Sequence, residues 1–255
     1  MSSLIALTRP VSASIGSCEL SYIDRQPIDV ALASAHHHQY QEALRRIGLE
    51  VIDLPALDNL PDAVFVEDVA VVVDEIAVLA SPGAESRVPE VAAIAPVLRK
   101  WRQVVPLGAG TLDGGDVLRL GRHFYVGLGG RTNPAGVAAL QTALAPFGYQ
   151  VTPVSVTGCL HLKTAASSLG DNRVLVHRPW FNTEPLAGLE LVDVPAGESW
   201  AANVLQIGNE VILPDGFPRT RELLERLGFR THPVPLSELI KAEAGVTCGS
   251  IILRK

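Results

Sequence analysis

The sequence predicts a single α/β domain over residues 1–255, made of five ββαβ-like repeats set around an axis. Three observations predict it. A short β-rich strand running into a proline recurs at Pro55, Pro106, Pro153, Pro195 and Pro235, spaced 51, 47, 42 and 40 residues apart. Each recurrence leads through a polar connection to an apolar strand, and in four of the five copies a tight turn and a second apolar strand follow. The last copy is one strand short, and the N-terminal run Leu4-Ile5-Ala6-Leu7 can supply that strand and close a ring. Closure removes open sheet edges. Alternating strands and helices alone would suggest an open α/β sheet instead.

In chain order, the strand at residues 4–7 leads into residues 10–27, a Ser-rich stretch with Gly16 that reads as a mobile surface loop. Residues 29–47 have a helical pattern with Gly48 as the stop. His36, His37 and His38 fall inside that helix. Neighbouring helical positions diverge by about 100°, so the three do not form one ligand set and read as a solvated face. The first copy then runs through Val51-Ile52-Asp53-Leu54-Pro55, residues 64–73 and residues 76–80. The second uses 104–106, 117–120 and 124–127; the third 149–153, 162–167 and 174–176; the fourth 191–195, 204–207 and 210–213; the fifth 231–235 and 250–253. Helices are expected at 88–101, 134–147 and 218–227, and the link at 179–188 reads as irregular.

The hydrophobic share of 47% and charged share of 19% give ample core material. The net charge of −6 disfavours nucleic-acid and anionic-membrane partners and suits a cationic small molecule. Three cysteines, Cys18, Cys159 and Cys248, make no disulfide framework. Met1-Ser2-Ser3-Leu4-Ile5-Ala6 has neither a basic start nor a long apolar run, so no signal peptide is expected. No stretch approaches the ~18–20 apolar residues of a membrane span. A reducing, cytoplasmic setting follows, with the oligomeric state open between monomer and homodimer.

The polar connection of each copy carries the chemistry. Seven to 13 residues after the prolines stand Asp62, Glu67 and Asp68; Asp113 and Asp116; His161; Asn203; and Cys248. Units arranged around an axis bring these positions together at one end of it. Each alone reads as a turn residue, and Asp113-Gly114-Gly115-Asp116 alone as a hairpin turn; their shared place in the repeat argues otherwise. A thiol is nucleophilic as thiolate and needs a partner for its proton. A thiol, a histidine and several carboxylates suit attack on the electron-poor carbon of a planar cation such as guanidinium. The carboxylates would bind its N–H donors in charge-assisted pairs. The same carboxylates suit Mg²⁺ or Ca²⁺, but no EF-hand loop, P-loop or His-Glu-x-x-His helix is present, and no metal is expected.

Seven motifs carry a resemblance over nearly the whole chain. They are Pro61-Asp62-Ala63-Val64-Phe65-Val66-Glu67-Asp68-Val69-Ala70, Pro82-Gly83-Ala84-Glu85-Ser86-Arg87, Leu112-Asp113-Gly114-Gly115-Asp116-Val117, Gly130-Arg131-Thr132-Asn133, Leu160-His161-Leu162-Lys163, Ala201-Ala202-Asn203 and Thr247-Cys248-Gly249-Ser250. With these the chain resembles the dimethylarginine dimethylaminohydrolases of the guanidino-group-modifying (pentein) superfamily. The resemblance implies a five-bladed α/β propeller with a pseudo-fivefold axis and no cofactor. It implies hydrolysis of Nω-methylated arginines to citrulline and a methylamine. By position it makes Cys248 the nucleophile, His161 the acid/base, and Asp68 and Asp113 the carboxylates that orient the guanidinium. Arg87 and Arg131 fall where the substrate α-carboxylate is clamped, a task that suits arginine. Asp62, Phe65 and Glu67 fall at further substrate positions. Leu20 matches a lid residue that meets substrate through its main chain, and Ala242 a position that offers its carbonyl. Two departures are local: Gly249 follows the nucleophile where bulkier residues occur, and Gly129-Gly130 precedes Arg131. Arginine deiminases share this logic on a longer chain.

Overall fold

In the computed structural model, which describes residues 4–170 and 172–255, fifteen strands form five three-stranded sheets of one pattern. The strands are β1 (Leu4–Thr8), β2 (Glu50–Asp53), β3 (Ala70–Val72), β4 (Ile76–Leu79), β5 (Gln103–Pro106), β6 (Val117–Leu120), β7 (His123–Leu128) and β8 (Gln150–Ser155). They continue as β9 (Ala166–Ser168), β10 (Arg173–Val176), β11 (Glu190–Asp193), β12 (Leu205–Ile207), β13 (Glu210–Pro214), β14 (Arg230–Val234) and β15 (Ile251–Arg254). In each sheet a first strand runs antiparallel to a middle strand, which is parallel to the third: β3-β4-β5, β6-β7-β8, β9-β10-β11, β12-β13-β14 and β15-β1-β2. The last sheet joins the two ends of the chain, with Leu4 opposite Arg254 and Leu7 opposite Ile251. The N-terminal strand thus fills the gap in the fifth copy. The proline-bearing strands do not open each repeat, as the copies read in sequence; each closes the sheet before it, across a helix in four cases. Residue 171 and the first three residues, on which part of the leader reading rests, lie outside the described residues.

The first strands face one another around the axis: β15 packs on β3, β6 on β9, and β9 on β12. Ala70–Val72 (β3), Val117 (β6), Leu205 (β12) and Ile251 (β15) line a central cavity of about 200 Å³. The five sheets therefore form a ring of propeller-like blades, as the resemblance implies. Separate apolar clusters fill the spaces around them, for instance Ile5, Leu7, Ile94 and Leu98.

Helices end where local chemistry dictates. Helix α1 (Val30–Arg46) starts at Asp29, whose carboxylate accepts the Leu32 N–H, and stops before Gly48 at φ 93°. Helix α2 (Val88–Leu98) stops three residues short of the expected Trp101. In α3 (Pro134–Leu144) Asn133 caps the Gly136 N–H and Pro134 occupies the first turn. After it come α4 (Leu162–Ala165), α5 (Pro218–Arg226) and α6 (Ser237–Ile240). The expected strand at 162–167 is thus mostly a helical turn, with β9 only three residues long.

Two further expectations are corrected. His36 and His37 are buried and only His38 is exposed, because α1 turns Ala33, His36, His37, Tyr40 and Leu44 inward at helical spacing. Residues 10–27 form an irregular segment that is exposed in part but not wholly on the surface. Val11, Ser12, Ile15 and Cys18 are buried there, and Arg25 ties the segment to itself through the Gly16 and Cys18 carbonyls, both at 2.6 Å.

Candidate active site

The polar connections do converge. Asp68 sits in the 3-10 turn Val66–Val69, Asp113 just before the turn Gly114–Asp116, His161 immediately before α4, and Cys248 in the turn Thr247–Gly249. Asp62, Phe65, Asp68, Arg87, Arg131, His161, Ala242 and Cys248 line one narrow cleft, whereas Asp113 is fully buried and does not line it.

His161 is buried between two carboxylates. Its Nε2 donates to Asp113 Oδ2 at 3.0 Å, and its Nδ1 lies 3.9 Å from Asp68 Oδ1. Burial pushes the imidazole toward neutrality. The charge of Asp68, the Asp113 hydrogen bond and the charges of Asp116 and Asp113 overcome it, lifting the pKa to about 9. His161 is therefore an imidazolium at neutral pH. The ring lies where a side chain at residue 115 would be: a Cβ on Gly115 would come 2.5 Å from His161 Nδ1 and 2.7 Å from Asp68 Oδ1. The Gly115 N–H also donates to Asp68 Oδ1 at 2.9 Å.

Asp68 and Asp113 are pinned on their other sides. Asp68 Oδ2 accepts from Arg87 Nη1 at 2.5 Å. Burial works against its charge, but His161 and Arg87 more than offset this and hold Asp68 below the usual carboxylate range. Asp113 Oδ1 accepts the Gly83 N–H at 2.9 Å.

Cys248 is poised differently. Among the described residues its one hydrogen-bond donor is the Gly245 N–H, 3.4 Å from Sγ. Burial and the charges of Glu67 and Asp68 push the thiol up to about 12, against weaker opposition from that N–H and Lys163. The resting sulfur is a neutral thiol. Cys248 and His161 share no hydrogen bond, although both line the cleft. A substrate there would lie against both.

The two arginines differ. Arg87 is buried, not at the surface. Its Nε and Nη2 donate to Glu90, its Nη2 also reaches the Asp62 and Phe65 carbonyls, and its Nη1 holds Asp68. Of five guanidinium N–H groups, one on Nη1 is left. Arg131 has one carboxylate contact among the described residues, Asp113 Oδ2 at 3.9 Å, and its fork stays open to a ligand.

Glu67 turns away from the cleft. Its carboxylate takes Lys163 Nζ at 2.5 Å and the Thr247 hydroxyl at 2.7 Å, and all three side chains line the central cavity instead. This group separates the two spaces. Asn203, from the fourth copy, braces it by donating to the Lys163 carbonyl and Thr247 Oγ1 and accepting the Thr247 N–H. Asp116 is also absent from the cleft. Its oxygens take the Leu162 N–H and the Thr132 hydroxyl, so it sets the turn that presents His161.

A scan against protein-family models finds no match. Among curated proteins, the N(G),N(G)-dimethylarginine dimethylaminohydrolase of Streptomyces coelicolor is 39% identical over 257 residues, covering 100% of this chain and 99% of the relative. The dimethylarginine dimethylaminohydrolase of Pseudomonas aeruginosa is 34% identical over 88% of this chain and 89% of its own. The structure of a Cys-to-Ser mutant of that enzyme with citrulline superposes at a TM-score of 0.91, at 31% identity, over 100% of both chains. This chain belongs to the dimethylarginine dimethylaminohydrolase family.

Four residues that sequence reasoning did not place in the site also line the cleft: Glu19, Leu160, Glu243 and Ala244. Glu19 lies next to Leu20, which packs half-buried against the cluster holding Ala242, Val246 and Cys248. The Asp62 oxygens accept the Glu19 N–H at 3.1 and 3.3 Å. The departure at Gly249 also has a reason here: Tyr40 occupies that space, and a Cβ on Gly249 would lie 3.0 Å from its ring. Among the described residues no group of three His, Cys, Asp or Glu side chains can hold a metal ion, and no helix is long and apolar enough to cross a membrane.

Proposed function

We propose that this protein hydrolyses Nω-methylated arginines, asymmetric dimethylarginine and monomethylarginine, to citrulline and dimethylamine or methylamine through a covalent Cys248 intermediate. The observation that carries the reading is buried His161, held by Asp113 and beside Asp68, lining with Asp68 the one cleft that also holds the Cys248 thiol.

The chemistry follows from the charges. The guanidinium cation enters beside Asp68, which binds its N–H groups, while Asp113 holds His161 in place. Its positive charge beside the sulfur favours the thiolate, and the thiol proton goes to solvent. Cys248 Sγ attacks the central carbon. His161 gives its proton to the methylated nitrogen, which leaves as the amine. The neutral imidazole then takes a proton from water as its oxygen attacks the same carbon. The C–S bond breaks, citrulline leaves and the thiolate regains a proton. Arg131, with its open fork, takes the substrate α-carboxylate, and Arg87 adds its one free N–H while holding Asp68. Phe65, Asp62, Leu20 and Ala242 shape the rest of the cleft. A reducing cytoplasmic setting, which keeps the thiol free, is part of the same proposal.

The test is incubation with asymmetric dimethylarginine, monomethylarginine and arginine, scoring citrulline. Citrulline from the methylated substrates, with little from arginine, is the expected result. Release from arginine alone points to a deiminase. Tight binding of all three without citrulline points to a guanidino-compound sensor.

A further inference from the structure

Glu243 is the one non-glycine among the described residues with a left-handed backbone, at φ 58°. A Cβ makes that conformation unfavourable, and glycine would adopt it freely. The side chain shows what is gained. Its buried carboxylate receives three consecutive peptide N–H groups from the other end of the chain. Ser21 donates to Oε2 at 3.1 Å, Tyr22 to Oε1, and Ile23 to Oε1 at 2.8 Å. Successive N–H groups converging in this way form an anion-binding nest. The same segment is fastened at its start, where Asp62 holds the Glu19 N–H and Glu19 accepts the Ser86 hydroxyl at 2.6 Å. Residues 19–23 are therefore strapped down by two carboxylates, Asp62 and Glu243, that both line the cleft, as Glu19 does.

The turn bearing Glu243 also belongs to the site. Ala242 and Ala244 on either side line the cleft, and Gly245 donates to Cys248 Sγ. We infer that Glu243 is a positioning residue that fixes the main chain of residues 19–23 against the cleft and ties it to the loop of the nucleophile. It acts on the substrate through that segment, and its carboxylate is occupied by it. The inference rests on the proposed function for its kinetic consequence, but not for the strap itself.

The full-length protein is compared with Glu243→Gly and Glu243→Gln. Glycine relieves the backbone and removes the carboxylate, so a loss in that variant cannot be ascribed to strain. Amide hydrogen exchange, run without ligand, is expected to quicken at Ser21, Tyr22 and Ile23 by about tenfold or more, the worth of one charge-assisted hydrogen bond. Exchange in the strands should stay as in the parent. With monomethylarginine, KM is expected to rise by about tenfold while kcat stays within about threefold, with Gln intermediate. Unchanged exchange at those three amides overturns the strap. Faster exchange with unchanged KM, or a fall in kcat and Tm with unchanged KM, overturns its positioning role. If the parent protein forms no citrulline, the proposed function fails, and the exchange measurement still decides the strap.

Discussion

Replacing Gly115 with alanine perturbs His161, the proposed acid/base group, without substituting any ionisable residue. The backbone at 115 is outside the left-handed region, so alanine costs nothing in φ. The added Cβ would lie 2.5 Å from His161 Nδ1, 2.7 Å from Asp68 Oδ1 and 2.8 Å from His161 Cγ, where ordinary contact begins near 3.4 Å. The imidazole must retreat by about 0.9 Å, but Asp113 holds its far nitrogen at 3.0 Å. The ring must tilt out of line with that bond, or Gly115 must pull back from Asp68. A misplacement near 1 Å lowers rates by about 10²-fold, or about 2.7 kcal/mol of barrier. Overpacking should cost about 1–3 kcal/mol of stability. The assay is citrulline formation from asymmetric dimethylarginine, with a thermal melt alongside. Gly130→Ala is the control: it neighbours Arg131, has open space and no positive φ, and should stay within about 0.5 kcal/mol. A Gly115→Ala protein with parental kcat/KM would show that the geometry around His161 does not limit the reaction.

Cys248→Ser should abolish turnover yet keep methylarginine affinity within a few-fold by calorimetry; citrulline at the parental rate would remove Cys248 from the mechanism. Asp113→Asn removes both an anion and an acceptor from His161, whose pKa of about 9 should fall toward the ordinary imidazole value. The alkaline limb of kcat/KM should move acidward with it, and an unmoved limb would mean that another group supplies the proton. His37 is buried and held down to about 4, chiefly by desolvation. Its folded pKa lies below its unfolded one, so its share of stability is intact above pH 6.5 and is lost as pH falls toward 4. The loss is about 2 kcal/mol at pH 5, so urea midpoints of His37→Leu should fall less than the parent's between pH 8 and 5. Parallel falls would contradict the assignment.

The ring and the meeting of His161 and Cys248 in one cleft were legible because both leave local traces. Repeat spacing marked the polar connections, and the short C-terminal run lacked a partner that residues 4–7 could supply. What stayed hidden depends on direction and on distance along the chain. Glu67 and Asp68 are adjacent in one 3-10 turn, where successive side chains diverge by about 120°. One faces Lys163 and the central cavity, the other His161 and the cleft, and composition cannot say which. Arg87 and Arg131 read alike, yet Glu90, a helix residue with no repeat position, engages one and not the other. His36 and His37 looked solvated because three adjacent histidines carry no hydrophobic signal, although their helical spacing to Tyr40 and Leu44 places them inward. Glu243 contacts residues 220 to 222 positions away, beyond any sequence window.

Burial first, and then the same charges, explain why the sulfur rests protonated. A cleft built to receive a guanidinium must be rich in carboxylate, and carboxylate near sulfur opposes its ionisation: Glu67 and Asp68 both push the thiol up. Histidine does not relieve this, because His161 is engaged with Asp113 and shares no hydrogen bond with the sulfur. Lys163 opposes this only weakly, and in the proposed reaction the further positive charge beside Sγ is the substrate's own. Activation and recognition then become one event. A neutral isostere would lack the charge that ionises the nucleophile, and thiol reagents would meet an unreactive sulfur in the empty site. The Lys163–Glu67–Thr247 group fits this logic. It engages Glu67 from the central-cavity side and leaves Asp68 as the carboxylate of that turn that lines the cleft.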